Sequence, residues 1–183
     1  MITVIDYGAG NLISVEKALL FLGEQVKVTS DAKEVLRADK IILPGVGAFG
    51  DAMEKLNEKR LSDTIREAFE KGIPLLGICL GLHLLFEGSD ETPDVSGLSI
   101  LKGRILRIPD ENGLKVPHVG WNSLKIEKDA ALFRDIPNGS YMYFVHSYYL
   151  KTEEDIVAAT TDYGVEIRPL RFFPGGTDKQ TGS

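Results

Sequence analysis

The chain has 183 residues, of which 43% are hydrophobic and 26% charged, with a formal net charge of −6 and a pI near 5.1. This composition predicts one globular domain. Scattered basic residues and the lack of an apolar run of ~20 residues argue against nucleic-acid and membrane partners. The segment Met1 to Asp6 lacks the features of a signal peptide and the single cysteine excludes an internal disulfide, so we expect a cytoplasmic protein.

The first half of the chain alternates short apolar strands with amphipathic helices. Strands are predicted at Ile2 to Ile5, Gln25 to Val28, Lys40 to Leu43, and over the run that ends at Cys79. The helices between them are predicted at Leu12 to Leu22 behind the N-cap Asn11, Ala32 to Leu36 behind Asp31, Asp51 to Leu56, Leu61 to Lys71, and Leu80 to Phe86. This alternation predicts a parallel sheet with helices on both faces.

Ligands of such sheets bind beyond the carboxyl ends of the strands. Three glycine-containing loops follow strands, at Asp6 to Asn11, Pro44 to Gly50 and Gly77 to Gly81, so we expect them at one edge of the sheet.

Beyond Gly88 the pattern changes to shorter strands separated by turns. Strands are predicted at Ile100 to Ile108, Asn122 to Glu127, Tyr141 to Val145 and Ile156 to Ala159, as an antiparallel extension of the sheet. The predicted class is therefore α/β, with a mixed, mostly parallel central sheet flanked by helices. One domain spans 1–167, and 168–183 is an atypical tail rich in proline and glycine.

Cys79, the only cysteine, ends a predicted strand inside the segment Gly77 to Gly81 (GICLG). A strand, a tight turn and a helix are the setting of a nucleophile elbow, and a helix N-terminus favours the reactive thiolate. The alternative is a buried structural thiol. The surrounding pattern favours the nucleophile.

Five motifs occur in one order: Asp6 to Asn11, Leu43 to Gly50, Gly77 to Gly81, Pro117 to Asn122 and Phe144 to Tyr149. Together they resemble the class I glutamine amidotransferases, and among them the glutaminase subunits of imidazole glycerol phosphate synthase. The resemblance covers Met1 to about Ile167 and implies a flavodoxin-like fold.

The resemblance implies that Cys79 attacks the side-chain amide of glutamine, forms a glutamyl thioester and releases ammonia. In this family the ammonia passes to a (β/α)8 barrel cyclase subunit in histidine biosynthesis. The oxyanion donors would come from Leu80 and from the loop of Gly45, Val46 and Gly47, which is thought to flip into its productive form when the partner signals. No cofactor and no metal are implied.

The resemblance also assigns the remaining site residues. His83, His146, Ser147 and Tyr148 would bind substrate, and Asn11, Trp121 and Asn122 would face the partner and the ammonia route. Alternatives stay open: Asp6 to Asn11 as a turn with an N-cap, Pro44 to Gly50 as a plain strand-to-helix turn, and four core aromatics at Trp121, Tyr143, Tyr148 and Tyr149.

Two departures from the family pattern bear on activity. His83 stands where the family usually has the Gln that contacts glutamine; it is interpreted as a replaced substrate contact, with a packed bystander or a proton acceptor as alternatives. The family's terminal Phe-His-Pro-Glu-Lys-Ser segment, which supplies the catalytic His and Glu, has no match, and no histidine follows His146. We therefore expect impaired catalysis, with little chance of rescue by His118 or His146.

A shifted reading frame or a truncation beginning near Arg168 is the ordinary explanation of the altered end, and the nucleotide sequence would test it. Two other functions remain. One is a non-catalytic subunit that binds glutamine or the cyclase; the other is an unrelated Cys-elbow α/β protein, which the Pro117 and Phe144 motifs disfavour.

Overall fold

The structure is a computed structural model that describes residues 1–110, 113–128 and 130–167. The predicted tail 168–183 lies outside the described residues. Within these ranges the chain forms twelve strands and five α-helices. No helix in these ranges is long and apolar enough to cross a membrane.

Four parallel strands form the central sheet in the order β2-β1-β3-β4: β1 (Ile2–Ile5), β2 (Val26–Thr29), β3 (Lys40–Gly45) and β4 (Leu75–Cys79). Their side chains alternate between the two faces, so Val4 and Ile42 point to one face while Ile5 and Leu43 point to the other. All four of these side chains are buried. The predicted parallel α/β arrangement is confirmed.

Five helices connect and flank these strands: α1 (Leu12–Phe21), α2 (Ala32–Val35), α3 (Phe49–Glu58), α4 (Leu61–Glu70) and α5 (Leu80–His83). The predicted caps of the first two are present. Asn11 accepts a hydrogen bond from the backbone N–H of Ser14, and Asp31 accepts bonds from Lys33 and Glu34.

The helices cover the two faces of the sheet unequally. On one face α1 is the only helix of the described residues that packs against Ile2, Val4 and Ile42, and none of its own residues is fully buried. The other face carries the larger core, in which α3 and α4 bury apolar side chains at helical spacing: Phe49, Met53, Leu56, Leu61 and Ile65. Helices therefore lie on both faces, as predicted.

The remaining strands are short: β5 (Gly88–Ser89), β6 (Arg104–Arg107), β7 (His118–Ser123), β8 (Lys125–Ile126), β9 (Tyr141–His146), β10 (Tyr148–Lys151), β11 (Ala159–Asp162) and β12 (Glu166–Ile167). They form three smaller sheets, β10-β6-β5, β12-β11-β8 and β7-β9. The antiparallel strands thus do not extend the central sheet as expected. The chain leaves that sheet at Cys79 and enters α5, while β6 pairs with β5 and β10.

Several boundaries differ from the predicted ones. The helix expected to reach Phe86 ends at His83, because the next turn tightens: the amides of Leu85 and Phe86 bond to carbonyls three residues back. The strand expected over Ile156 to Ala159 lies instead at β11.

The three glycine loops lie at one edge of the central sheet, as predicted. Because β1, β3 and β4 are parallel, the segments that follow Ile5, Gly45 and Cys79 all leave the sheet at its carboxyl edge. Lys55 of α3 donates a hydrogen bond to the carbonyl of Gly8, and Lys59, the C-cap of α3, donates one to the carbonyl of Asp6. These bonds tie the first loop to the helix that follows the second.

Candidate active site

Cys79 lies on a sharp turn between β4 and α5. Its backbone has φ of 53° and ψ of −119°, a left-handed conformation that a residue with a side chain adopts only at some cost. The turn leaves the thiol side chain exposed. The alternative of a buried structural cysteine is therefore wrong.

Two glycines make this turn sterically possible. A Cβ on Gly81 would lie 1.9 Å from the carbonyl oxygen of Leu43, and a Cβ on Gly77 would lie 2.5 Å from the Cα of Leu82. Neither distance is tolerable, so the backbone of β3 and of α5 can approach the turn only where no side chain exists. The GICLG spacing thus follows from packing around the nucleophile elbow.

The second glycine loop lies beside Cys79. Gly45 is the register partner of Cys79 in the pairing of β3 with β4, and a Cβ on Gly45 would lie 2.6 Å from the backbone nitrogen of Gly81. Gly47 has φ of 94° with open space around it, and Val46 is exposed. Both segments predicted to supply oxyanion donors therefore lie beside Cys79: this loop through strand pairing, and Leu80 as the next residue in the chain.

Two adjoining clefts open at Cys79 and share Cys79, His83, Val145, His146 and Tyr148. One, of about 320 Å³, is also lined by Gly47, Leu80, Glu91, Pro117 and Ser147. The other, of about 290 Å³, is also lined by Leu82, Tyr143, Phe144, Tyr149, Leu150 and Ile167. The predicted substrate-binding residues His83, His146, Ser147 and Tyr148 are thus brought together with Cys79.

The histidines of the wall opposite Cys79 form a hydrogen-bonded pair. Nδ1 of His118 lies 3.1 Å from Nε2 of His146, whose own Nδ1 lies 2.9 Å from the carbonyl oxygen of Tyr148. A carbonyl only accepts, so Nδ1 of His146 carries the proton and its Nε2 is the acceptor for the N–H of His118. Both ring nitrogens of His146 are therefore engaged.

The ring of His118 is held by stacking as well. It lies 3.8 Å from the ring of Tyr163 and 5.1 Å from that of Phe144, nearly parallel to both. The side chain is 3% exposed. His118 is thus part of the packed wall.

All three histidines are kept neutral by their surroundings. Burial, and secondarily His146, lowers the pKa of His83 to about 4. Burial, and secondarily His146, also lowers the pKa of His118. Burial lowers the pKa of His146, against the opposing effect of its bond to the Tyr148 carbonyl. At neutral pH the cleft therefore contains uncharged imidazoles.

The three residues predicted to face the partner and the ammonia route line neither cleft. Asn11 caps α1, which bears out the structural alternative for its loop. Trp121 is 69% exposed on β7, where it meets Tyr143 edge to face at 5.7 Å, so a core role for these two aromatics is wrong. Asn122 bridges β7 to β11 through a 2.8 Å bond to the carbonyl of Asp162.

Sequence reasoning missed two polar residues near Cys79. Glu91 lines the larger cleft and follows a two-residue strand that no periodic pattern predicts. The hydroxyl of the buried Tyr7 lies 2.8 Å from the position of a Cβ on Gly45; burial, and secondarily Cys79, raises its pKa to about 12. Tyr7 belongs to the Asp6 to Asn11 motif, but nothing in its spacing indicates a position next to the elbow.

The described residues contain no group of three or more His, Cys, Asp or Glu side chains arranged to hold a metal ion. The polar groups that line the clefts include the Cys79 thiol, imidazoles, the hydroxyls of Ser147 and of tyrosines, and the Glu91 carboxylate. That set suits nucleophilic attack on a carbonyl carbon with hydrogen-bond stabilisation of the oxyanion.

A nucleophilic cysteine on an elbow of an α/β sheet, beside a glycine-rich loop, defines a class of thiol-dependent acyl-transfer proteins. The family model for glutamine amidotransferase class-I matches residues 3–171. The chain belongs to the class-I glutamine amidotransferase family.

Curated relatives show a more specific similarity within this family. The chain is 55% identical over 167 residues to the imidazole glycerol phosphate synthase subunit HisH of Moorella thermoacetica, an alignment that covers 91% of this chain and 79% of the relative. The HisH subunit of Caldanaerobacter subterraneus subsp. tengcongensis is 53% identical over 168 residues, covering 91% and 82%. The predicted family resemblance is confirmed.

Solved structures share the fold at low sequence identity. A glutamine amidotransferase crystal structure matches with a TM-score of 0.68 at 17% identity, over 94% of this chain and 90% of that chain. A glutamine amidotransferase from Thermotoga maritima matches with a TM-score of 0.60 at 17% identity, over 95% and 71%. These matches support the α/β fold class.

Proposed function

We propose that this chain is the glutaminase subunit of an imidazole glycerol phosphate synthase, which hydrolyses glutamine at Cys79 and passes the ammonia to a cyclase subunit in histidine biosynthesis. The observation that carries the proposal is the Cys79 elbow, with the Gly45 to Gly47 loop paired beside it and a cleft in front of it. The names of the relatives, HisH subunits of that synthase, support the choice of reaction.

In the proposed reaction the sulfur of Cys79 attacks the carboxamide carbon of glutamine. The resulting oxyanion accepts hydrogen bonds from the N–H of Leu80 and from the Gly45 to Gly47 loop. The proton lost by the Cys79 thiol is transferred to the amide nitrogen, the C–N bond breaks and ammonia leaves, which yields a glutamyl thioester. Water adds to the thioester, the C–S bond breaks, and glutamate and the thiol are released.

We expect the proton transfers to be the slow steps of this reaction. Of its three histidines, His146 has both nitrogens engaged, His118 is stacked in the wall, and His83 with a pKa of about 4 is a weak base. Loss of a general base costs on the order of 10² to 10⁴ in rate. We therefore propose that this chain hydrolyses glutamine slowly.

The partner surface that we propose is one face of the β7-β9 ribbon, defined by Val119, Trp121, Tyr141, Tyr143 and Val145. All five side chains are more than half exposed, and they lie together because Val119 pairs with Val145 and Trp121 with Tyr143. Tyr143 and Val145 also line the clefts at Cys79. A cyclase docked on this ribbon face would therefore meet the site that produces ammonia.

The alternative function is a subunit that binds glutamine or the cyclase without turnover. The engaged histidine pair is the observation that favours it. The two functions can be distinguished experimentally, because only the glutaminase forms a thioester at Cys79.

Glutamate release, measured with a cyclase subunit from a HisH-containing relative and its ligand, tests the proposal. We expect slow release that Cys79→Ala abolishes.

In Trp121→Ala, binding of the cyclase should weaken while the unfolding temperature stays unchanged, because the side chain is 69% exposed. Cyclase binding without Cys79-dependent glutamate or thioester would establish the alternative.

A further inference from the structure

The loop beside Cys79 is held at both ends, and only three residues between the ends are free of these constraints. Gly45 at its start is paired with Cys79 in the sheet. Phe49 at its end is fully buried as the first residue of α3. Val46, Gly47 and Ala48 lie between them, with Gly47 in a positive-φ conformation and open space around it.

The far end of this loop lacks a local cap. Ala48 occupies the N-cap position of the ten-residue α3 and has no side chain that could accept a hydrogen bond. The first amides of a helix have no partner within the helix, so an acceptor has to come from elsewhere. Oε2 of Glu91, 42 residues away, accepts the N–H of Phe49 at 2.9 Å. A carboxylate is also the charge that a helix N-terminus favours.

The segment that presents Glu91 is itself anchored. The N–H of Glu91 donates to the hydroxyl of the buried Ser89, and the N–H of Asp90 donates to the carbonyl of Ile105 in β6. Next to Glu91, Thr92 packs on Gly50, where a Cβ would lie 2.9 Å from the threonine methyl. Segment 89–92 therefore holds the first turn of α3 through a hydrogen bond and a close contact.

Glu91 also lines the cleft that contains Cys79, Gly47 and Leu80. We propose that Glu91 is a positioning residue that acts through the Phe49 amide: it fixes the end of the Gly45 to Gly47 loop, so that backbone donors of this loop face the oxyanion formed at Cys79. Small displacements of such donors are costly, since loss of one oxyanion donor lowers rates by on the order of 10² to 10³.

This inference rests on the proposed glutaminase function, and substitution of Glu91 tests it. Glu91→Gln retains a side-chain oxygen that accepts from Phe49, whereas Glu91→Ala removes the acceptor. We expect Glu91→Ala to lower kcat for glutamine hydrolysis by at least about 10-fold with a smaller change in KM, and Glu91→Gln to stay within about 3-fold of the parent. An equal rise of KM in both variants, or an unchanged kcat in Glu91→Ala, would overturn the inference.

Glu87→Ala is the matched control. Glu87 also accepts a backbone N–H, that of Gly103 at 2.8 Å, but it lines a different cavity away from Cys79. Its loss should lower stability about as much as that of Glu91 while leaving kcat unchanged. A kcat loss as large in Glu87→Ala as in Glu91→Ala would show that general destabilisation, not loop position, causes the effect.

Two further measurements test the role of Glu91 independently of the proposed function. Hydrogen exchange of the Phe49 amide should become faster in Glu91→Ala and remain slow in Glu91→Gln, whether or not glutamine is hydrolysed. Labelling of Cys79 by a chloroketone analogue of glutamine, followed by mass spectrometry, should slow in Glu91→Ala. If hydrolysis is absent in the parent but both readouts change as expected, the function fails and the anchoring role stands; unchanged readouts overturn the role.

Discussion

The two walls of the Cys79 cleft are built by different interactions. The elbow wall, from Gly45 and from Gly77 to Gly81, is fixed by backbone contacts that admit no side chain at three glycines. The opposite wall, on β7 and β9, is fixed by side-chain hydrogen bonds and stacking that engage His118 and His146. The elbow wall therefore presents an exposed thiol, while the histidine wall engages both nitrogens of His146 and Nδ1 of His118 in hydrogen bonds.

Breaking the elbow wall should have the largest effect on stability. Gly81→Ala places a methyl group 1.9 Å from the Leu43 carbonyl, so we expect a loss of about 3 kcal/mol or more in the free energy of unfolding, measured by urea denaturation. Gly139→Ala is the control, since φ of 85° imposes conformational strain there but nothing lies within 4 Å. Equal losses in the two variants would refute the steric explanation.

Acid should weaken the protein through His83. Below pH 6.5 the unfolded chain protonates this histidine, whereas the folded protein excludes the proton until the pH approaches 4. Stability is therefore lost as the pH falls through this window, by at most about 3 kcal/mol from this residue. His83→Gln should flatten the pH dependence of unfolding between pH 6.5 and 4. An unchanged slope would show that the histidine titrates normally in the folded state.

Breaking the histidine wall should have a smaller effect. His118→Phe keeps a ring between Phe144 and Tyr163 but removes the donor to His146, which should cost about 1 kcal/mol. It should also raise the pKa of His146, because Nε2 becomes free to take a proton. Nitrogen NMR of the imidazoles follows both this titration and the Nδ1–H tautomer. Titration of His146 unaffected by the substitution would contradict the proposed pairing.

The elbow wall was predictable because its signals are local. The apolar run that ends at Cys79 predicts a strand, and the glycines on both sides of the cysteine in GICLG predict the turn that carries the thiol. The histidine wall depends on the pairing of His118 with His146, which are 28 residues apart and face each other only through the β7-β9 register. No pattern along the chain specifies that register.

Other features could not be predicted from the sequence either, because they depend on contacts between segments that are distant along the chain. The exposed positions of Trp121 and Tyr143 follow from which face of the ribbon packs inward. The bond from the Phe49 amide to Glu91 joins segments that are 42 residues apart. The smaller sheets beyond Gly88 likewise follow from strand partners that short, weakly periodic segments do not specify.

We propose that Cys79 sits on a nucleophile elbow beside which none of the three histidines of this sequence is positioned to act as a strong base. Chemical rescue tests it most directly: glutamate release by the cyclase complex is measured with and without added imidazole, beside the HisH subunit of Moorella thermoacetica. We expect this chain to be slower by on the order of 10² to 10⁴, and to accelerate with imidazole only when Cys79 is present. A rate equal to that of the relative, unchanged by imidazole, would contradict the claim.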